Sequence, residues 1–337
     1  MLIAPGGVKP HNTMSSLQIR FVAFLLLPIL ACFAFNTTAL AQEINGVPTY
    51  SVQNVEGIDE IEVQTRLADY LISAEGGVLR SVYVHFSPIG TVPTELISDT
   101  ETSEVEGTAE RVLERTYARQ PLFPFGRRVN GVDTASEIYN CTVNEAPAQA
   151  LEIRCSLDVD GVTITKIYSL TNNPDYSFDF RLEIENPTDE RITFSDNIFL
   201  TLGDGFKDSN NYRDTVRYLY SDGIRQQIFN DPGFNGVGFQ DRGLLFFLKP
   251  DIGDSSVFPY ESPSENNRIE LGIEIEELSL SPNETSTYEF LLFAGRDKYT
   301  LLEDVGLGAL NPPGFFLQFI IPIVYLLNWL SDITRNY

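Results

Sequence analysis

A two-residue alternation of apolar and polar side chains is the feature that most restricts how this chain can fold. In Ser177–Glu185, Phe178, Phe180, Leu182 and Ile184 fall on one side of an extended backbone, and Asp179, Arg181, Glu183 and Glu185 on the other. Successive side chains of a strand point to opposite faces, so this is a half-buried antiparallel strand. Strand patterns recur at Glu60–Gln64, Tyr70–Ser73, Leu79–Phe86, Leu151–Leu157, Thr163–Leu170, Arg191–Leu200, Gly243–Leu248, Ile269–Ile275 and Ser286–Phe293. Turn chemistry such as Asn186-Pro187-Thr188-Asp189 separates them. Many strands with no helices interleaved predict a large all-β sandwich.

Two stretches interrupt the pattern. Ser87–Arg111 is rich in Pro, Thr, Ser and Glu and predicts a long solvated loop. Gly203–Gly243 is rich in Gly, Asn and Asp and predicts irregular loops and short strands capping one side of the sandwich. Beyond Phe293 the period changes. Asp297–Val305 predicts a short helix with Asp297 as its N-cap, and Asn311-Pro312-Pro313-Gly314 breaks the chain again.

Composition narrows the partners. Hydrophobic residues make up 43% of the chain and charged residues 21%, which excludes wholesale disorder. The net charge is −24. The first 41 residues contribute Lys9 and Arg20 and no acid, so the remainder is more acidic still. Such a surface repels phosphate backbones and anionic headgroups. Nucleic acid is therefore set aside, and any membrane contact has to come from apolar surface.

The N-terminus predicts export. Arg20 precedes the apolar run Phe21–Phe35, and Ala39-Leu40-Ala41 is the small-x-small pattern of a signal-peptidase site. Cleavage after Ala41 leaves Gln42 first; the alternatives are an uncleaved anchor helix or lipidation at Cys32. Export places Cys141 and Cys155 in an oxidising compartment. They flank Asn144–Gln149, a turn-like stretch between two strand-like segments, at similar distances from it. A cross-strand disulfide is expected, worth up to about 3 kcal/mol on the chain-entropy model. Two free buried thiols are the alternative.

Catalytic motifs are missing from the sequence. His11 and His85 are its two histidines, and His85 sits in the strand-like Ser81–Phe86 as an ordinary strand-edge residue. There is no G-x-S-x-G, P-loop, H-E-x-x-H or C-x-x-C. Glu270, Glu274 and Glu276 alternate with Leu271, Ile273 and Ile275, as on the wet face of a strand. Asp204, Asp208, Asn210 and Asn211 lack the closing glutamate of a standard calcium loop. The expectation is no catalytic residue, no metal and no cofactor.

The C-terminus predicts a helix lying in a membrane interface. After Gly314, residues 315–331 are uncharged up to Ser331 and only about as long as the shortest spanning helix. Phe315, Phe316, Phe319, Ile323, Leu326 and Leu327 share one helical arc. Gln318, Tyr325, Asn328 and Trp329 gather on the other side, where aromatic rings with polar tips suit the headgroup layer. Pro322 removes one backbone donor, a loss better tolerated near water. Packing on the sandwich as ordinary core is the alternative.

These terminal residues carry a family resemblance. Gly314–Leu330 reads GFFLQFIIPIVYLLNWL and resembles the interfacial helix of YidC-type membrane insertases, with Gly314, an aromatic turn, Pro322, and Leu326-Leu327 with Trp329. Asn336-Tyr337 resembles the Asn-aromatic pair that precedes that family's insertase core. Phe293–Tyr299 with Leu301-Leu302 resembles the family's x-G-P-K segment and following helix, with Gly295 in place and Arg296 where proline is usual. More diffusely, Ile72–Ser81, including Gly76-Gly77, resembles the first strand-turn-strand of the periplasmic domain. Lys166–Leu170 with Asp175–Phe178, and Gly238–Lys249, resemble later strands.

The resemblance implies a β-supersandwich of the galactose-mutarotase type over 42–296 and a helical segment over 297–337. It implies the bacterial inner membrane, periplasmic face, as location. The implied partners are the lipid interface, Sec translocon components and nascent membrane proteins. The family's insertase core is five transmembrane helices around a hydrophilic groove, and the resemblance stops at Tyr337, before the first of them. The expected role is the periplasmic portion of such an insertase, assisting membrane-protein insertion by docking and not by chemistry. The alternative is a carbohydrate-binding or mutarotase-like exported protein.

Overall fold

The computed structural model describes residues 47–85, 134–172, 175–194, 197–203, 216–228, 233–241, 243–250, 257–263, 269–276 and 278–314, three short strands between 94 and 114, and Ile323. The chain divides into two compact units, Met1–Asn45 and Gly46–Tyr337, and the described residues belong to the second. The strands are β1 (Thr49–Val55), β2 (Ile58–Gln64), β3 (Ala68–Ser73), β4 (Val78–Val84), β5 (Thr94–Glu95), β6 (Glu101–Ser103) and β7 (Val112–Glu114). Then come β8 (Asn140–Ala146), β9 (Ala150–Val159), β10 (Val162–Leu170), β11 (Ser177–Glu185), β12 (Ile192–Thr193), β13 (Ile198–Thr201) and β14 (Val216–Tyr220). The last are β15 (Gly223–Arg225), β16 (Phe234–Asp241), β17 (Leu244–Pro250), β18 (Val257–Pro263), β19 (Ile269–Ile275), β20 (Ser279–Leu280) and β21 (Thr285–Arg296). Helix α1 spans Tyr299–Asp304.

This is an all-β sandwich. One layer is a five-stranded sheet in the order β1-β2-β3-β4-β5; the other is nine-stranded, β15-β14-β16-β17-β21-β11-β10-β9-β8. A smaller sheet, β13-β19-β18, accompanies them. The registers are antiparallel. Two-residue loops make the tightest hairpins. Glu56-Gly57 and Asp160-Gly161 have positive φ at both positions, the mirror-image turn whose twist matches the flanking strands.

The alternation in β11 is realised as read. Phe178, Phe180, Leu182 and Ile184 are buried toward the five-stranded layer, where the Tyr70 ring meets Phe178 edge to face at 5.2 Å. β17 breaks the alternation because both of its faces are covered. Leu244, Phe246 and Leu248 face inward, and Leu245 and Phe247, on the outer face, are equally buried. Their cover is the C-terminal segment, whose Leu302, Leu307 and Leu310 join the same core.

Three sequence expectations need correction. Within Gly203–Gly243 the described strands β14, β15 and β16 belong to the large sheet and do not cap it. β14 and β16 are seated by the buried Val216, Tyr218, Val237 and Phe239, whose alternation the intervening glycines dilute. Gly236 and Gly238 permit this, since a Cβ at either would run into Phe247 or the backbone of β17. Arg191–Leu200 is two strands, β12 and β13, in different sheets. Asp297 does not cap α1: Lys298 holds that place, with no side-chain cap. The Asp297 side chain accepts instead from Gln240 Nε2.

Candidate functional site

The inner face of the large sheet holds an unusual polar group. Lys166, in the middle of β10, is fully buried. Its Nζ donates to the Gly76 carbonyl at 2.6 Å and lies 4.7 Å from the centre of the Tyr139 ring. Burial pulls its ammonium well below the ordinary lysine value, to about 7. Two residues on, the Tyr168 hydroxyl donates to the Gly77 carbonyl at 2.8 Å. The Gly76-Gly77 turn thus hangs from the five-stranded layer onto two side chains of the opposite one. Both glycines have positive φ. A Cβ at Gly76 would run into the Ala135 carbonyl oxygen at 2.6 Å, and one at Gly77 would press within 3.2 Å of Tyr139 and of Cys155 Cβ, so the turn is built for glycine.

The expected disulfide is here. Cys141 and Cys155 face each other across the β8–β9 hairpin and are bonded. Cys155 pairs in register with Lys166 on the next strand. Disulfide, buried amine and glycine turn therefore meet at one point, and the Glu75–Ile138 bridge ties the two layers beside it.

Gly295 serves a second joint, on the outer face. A Cβ there would run into the Tyr176 ring. Tyr176, itself at φ +61°, accepts from the Ala294 amide through its carbonyl. Asp297 then donates its amide to the Gly243 carbonyl, and the Asn311 side chain donates to the Asp297 carbonyl at 2.9 Å. These bonds fold the segment after β21 back over β17.

Where that cover ends, the outer face opens into a groove of about 400 Å³, lined by Ser169, Asp179, Arg181, Lys249, Glu289, Leu291 and Val305 among others. Adjacent strands position the charges: Asp179 and Arg181 stand on β11, Arg181 faces Glu289 on β21, and Lys249 faces Leu291. Partial burial, then the neighbouring Glu289 and Asp175, hold the Asp179 carboxyl above the usual range. Beside the groove, Glu183 pairs with Arg154 at 3.1 Å and with Arg181 at 3.0 Å. The arrangement suits a polar ligand carrying hydroxyl or charged groups. Two neighbouring carboxylates, one held above its usual range, are the groups there with acid–base capacity.

The burial of Lys166 and the groove are not legible in the sequence, because both depend on which strands become neighbours. His85 stands at the end of β4, as a strand-edge residue, with its Nε2 2.8 Å from Asp69 Oδ1 and its Nδ1 3.2 Å from the Arg66 carbonyl oxygen. Glu270 is buried, not on a wet face, whereas Glu274 accepts from Asn197. Ala39 and Ala41, Asp204–Asn211, and the 315–331 segment with Phe315, Phe316, Phe319, Pro322, Leu326, Leu327 and Trp329 lie outside the described residues. Ile323 of that segment is helical and exposed. Among the described residues no helix is long and apolar enough to cross a membrane, and no group of His, Cys, Asp and Glu is placed to hold a metal.

Three solved structures bear comparison. A YidC insertase with its first transmembrane domain resolved is 20% identical, over 94% of this chain and 57% of that one, with a TM-score of 0.42. YidC from Thermotoga maritima is 19% identical, over 85% and 65%, with a TM-score of 0.41. A putative mutarotase from Salmonella typhimurium is 12% identical, over 74% and 94%, with a TM-score of 0.43. This chain thus spans less than two thirds of the length of either insertase. No family model matches it, and no curated protein does.

Proposed function

We propose that this chain is the periplasmic portion of a YidC-type insertase at the bacterial inner membrane, assisting insertion, folding and assembly of membrane proteins by docking and not by chemistry. The observation that carries the reading is the joint at Gly295. The residues that resemble the insertase pattern, Phe293–Tyr299, are those that fasten the C-terminal segment onto the sandwich. That segment leads into the apolar stretch 315–331, which the reading lays along the lipid interface, with Sec translocon components and nascent membrane proteins as partners.

The test is photo-crosslinking in inner-membrane vesicles, with the crosslinker placed at exposed positions of the domain and a radiolabelled membrane protein stalled during synthesis. Adducts with the nascent chain or with translocon subunits are expected. Their absence at every position, with the protein correctly localised, rejects the reading. The Asp179–Glu289 groove favours a second reading, a sugar-binding or mutarotase-like protein. Proton NMR of aldoses freshly dissolved with the protein decides it: accelerated interconversion of anomers would establish the enzyme.

A further inference from the structure

Sheet edges are usually blunted against pairing by brevity, charge, proline or a bulge. Most edges here follow that rule. β15 has three residues and β5 two, while β18 carries Pro259, Glu261 and Pro263. β8 carries Glu145 and is cross-linked at Cys141. β1 departs from it. Thr49–Val55 is seven residues long, has neither charge nor proline, pairs with β2 without a bulge, and is exposed along nearly its whole length.

Hairpin geometry fixes which groups are left over. Val55 and Ile58 flank the two-residue turn and exchange both of their ladder bonds. Bonded pairs then alternate, at Gln53–Glu60, Ser51–Glu62 and Thr49–Gln64. The amides and carbonyls of Tyr50, Val52 and Asn54 therefore point away from β2. The same residues place their side chains on the core-facing side, since Tyr50 stands opposite Val63 and Val52 opposite Ile61, both fully buried. Yet Tyr50 is 49% exposed and Val52 52%. Among the described residues nothing covers the end of this apolar face, which continues past the core beside an open ladder.

We propose that β1 receives an extended segment of a basic partner protein, which adds a sixth strand to this sheet. Backbone bonds to Tyr50, Val52 and Asn54 would hold it, apolar residues at alternate positions would cover Tyr50 and Val52, and lysine or arginine on its other face would meet the acidic surround. Charge favours this occupant. The chain carries −24, and Glu56, Asp59 and Glu62 stand beside the neutral edge. A second copy could match the ladder, but it brings the same charge and only a seven-residue edge, far less than the roughly 800 Å² per partner of a standard interface. The inference stands on this edge and not on the insertase reading, so either can fail alone.

The probe is a fluorescein-labelled peptide, KVTVKVTVK, added to the purified full chain and followed by anisotropy, with KPTVKPTVK as a charge-matched control that cannot form a ladder. The alternating peptide should bind about tenfold more tightly than the control and slow amide exchange at Tyr50, Val52 and Asn54. Val52→Pro removes one outward donor and leaves the β1–β2 bonds, and should weaken binding about tenfold. The double variant Tyr50→Thr/Val52→Thr keeps strand propensity and charge, and should weaken it severalfold even if the proline variant fails to fold. Equal binding of both peptides, or indifference to the threonine variant, reduces the effect to charge attraction and overturns the proposal. A concentration-dependent dimer that both variants abolish overturns it in favour of self-pairing.

Discussion

The two faces of the nine-stranded sheet are built from the same strands and treat their side chains differently. The inner face is buried from β14 across to β9. It buries Phe178, Phe180 and Tyr168, and it tolerates Lys166 only because the Gly76 carbonyl and the Tyr139 ring receive the amine. The outer face is divided. Over β17 and the end of β21 it is buried too, with Leu245, Phe247 and Phe293 joined to the core beneath the C-terminal segment. Over β11 it is charged, with Asp179 and Arg181 at the groove, while Thr165 and Ile167 of β10 stay buried on the same face. A sheet face is apolar where something lies on it, and here eighteen or so residues after β21 decide where that is.

The largest effect should come from removing the cover's footing. Phe293→Ala, under the C-terminal segment, should cost about 3–5 kcal/mol in urea unfolding. A loss below about 1 kcal/mol would show that the outer core contributes little and that the faces differ less than their burial indicates.

Lys166 tests the inner face through pH. Its amine titrates near 7 in the folded protein and at the ordinary 10.5 when unfolded. Between those values the unfolded chain holds the extra proton, so stability should rise with pH, by at most about 1.4 kcal/mol per unit. Below 7 both states are protonated and this contribution to the slope vanishes. Unfolding midpoints from pH 6 to 9.5 should show the rise, and Lys166→Met should flatten it. An unchanged slope in the variant would mean that other groups produce it.

Replacing Cys141 and Cys155 together by Ala should destabilise the inner joint by about 1–3 kcal/mol. Hydrogen exchange should loosen first at Gly76 and Tyr139, and loosening elsewhere would detach the disulfide from the turn. At the small end, Asp179→Asn in the open groove should change stability by less than about 0.5 kcal/mol. A larger loss would mean that the groove's charges hold the sheet together and do not wait for a ligand.

Much of the architecture was readable in advance. Ser177–Glu185 and Ile269–Ile275 carry their strands between the same end residues in sequence and structure. Cys141 and Cys155 are bonded in the register that the turn between them implies. The candidate groove was not readable, because Asp179, Arg181, Lys249 and Glu289 come from three strands separated by long stretches of chain.

The sequence by itself determined the local matters: period, turn positions, the hairpin disulfide, and the surplus of acid. These follow from each residue's own geometry and its near neighbours. Tertiary structure alone decided that a lysine in a strand is buried beneath a glycine turn 90 residues earlier. It also decided that Leu244–Leu248 is covered on both faces, and that β1 ends its sheet uncovered. The physical reason is common to all three: burial belongs to a pair of surfaces, and a strand's pattern names the face it hides without naming what lies against it.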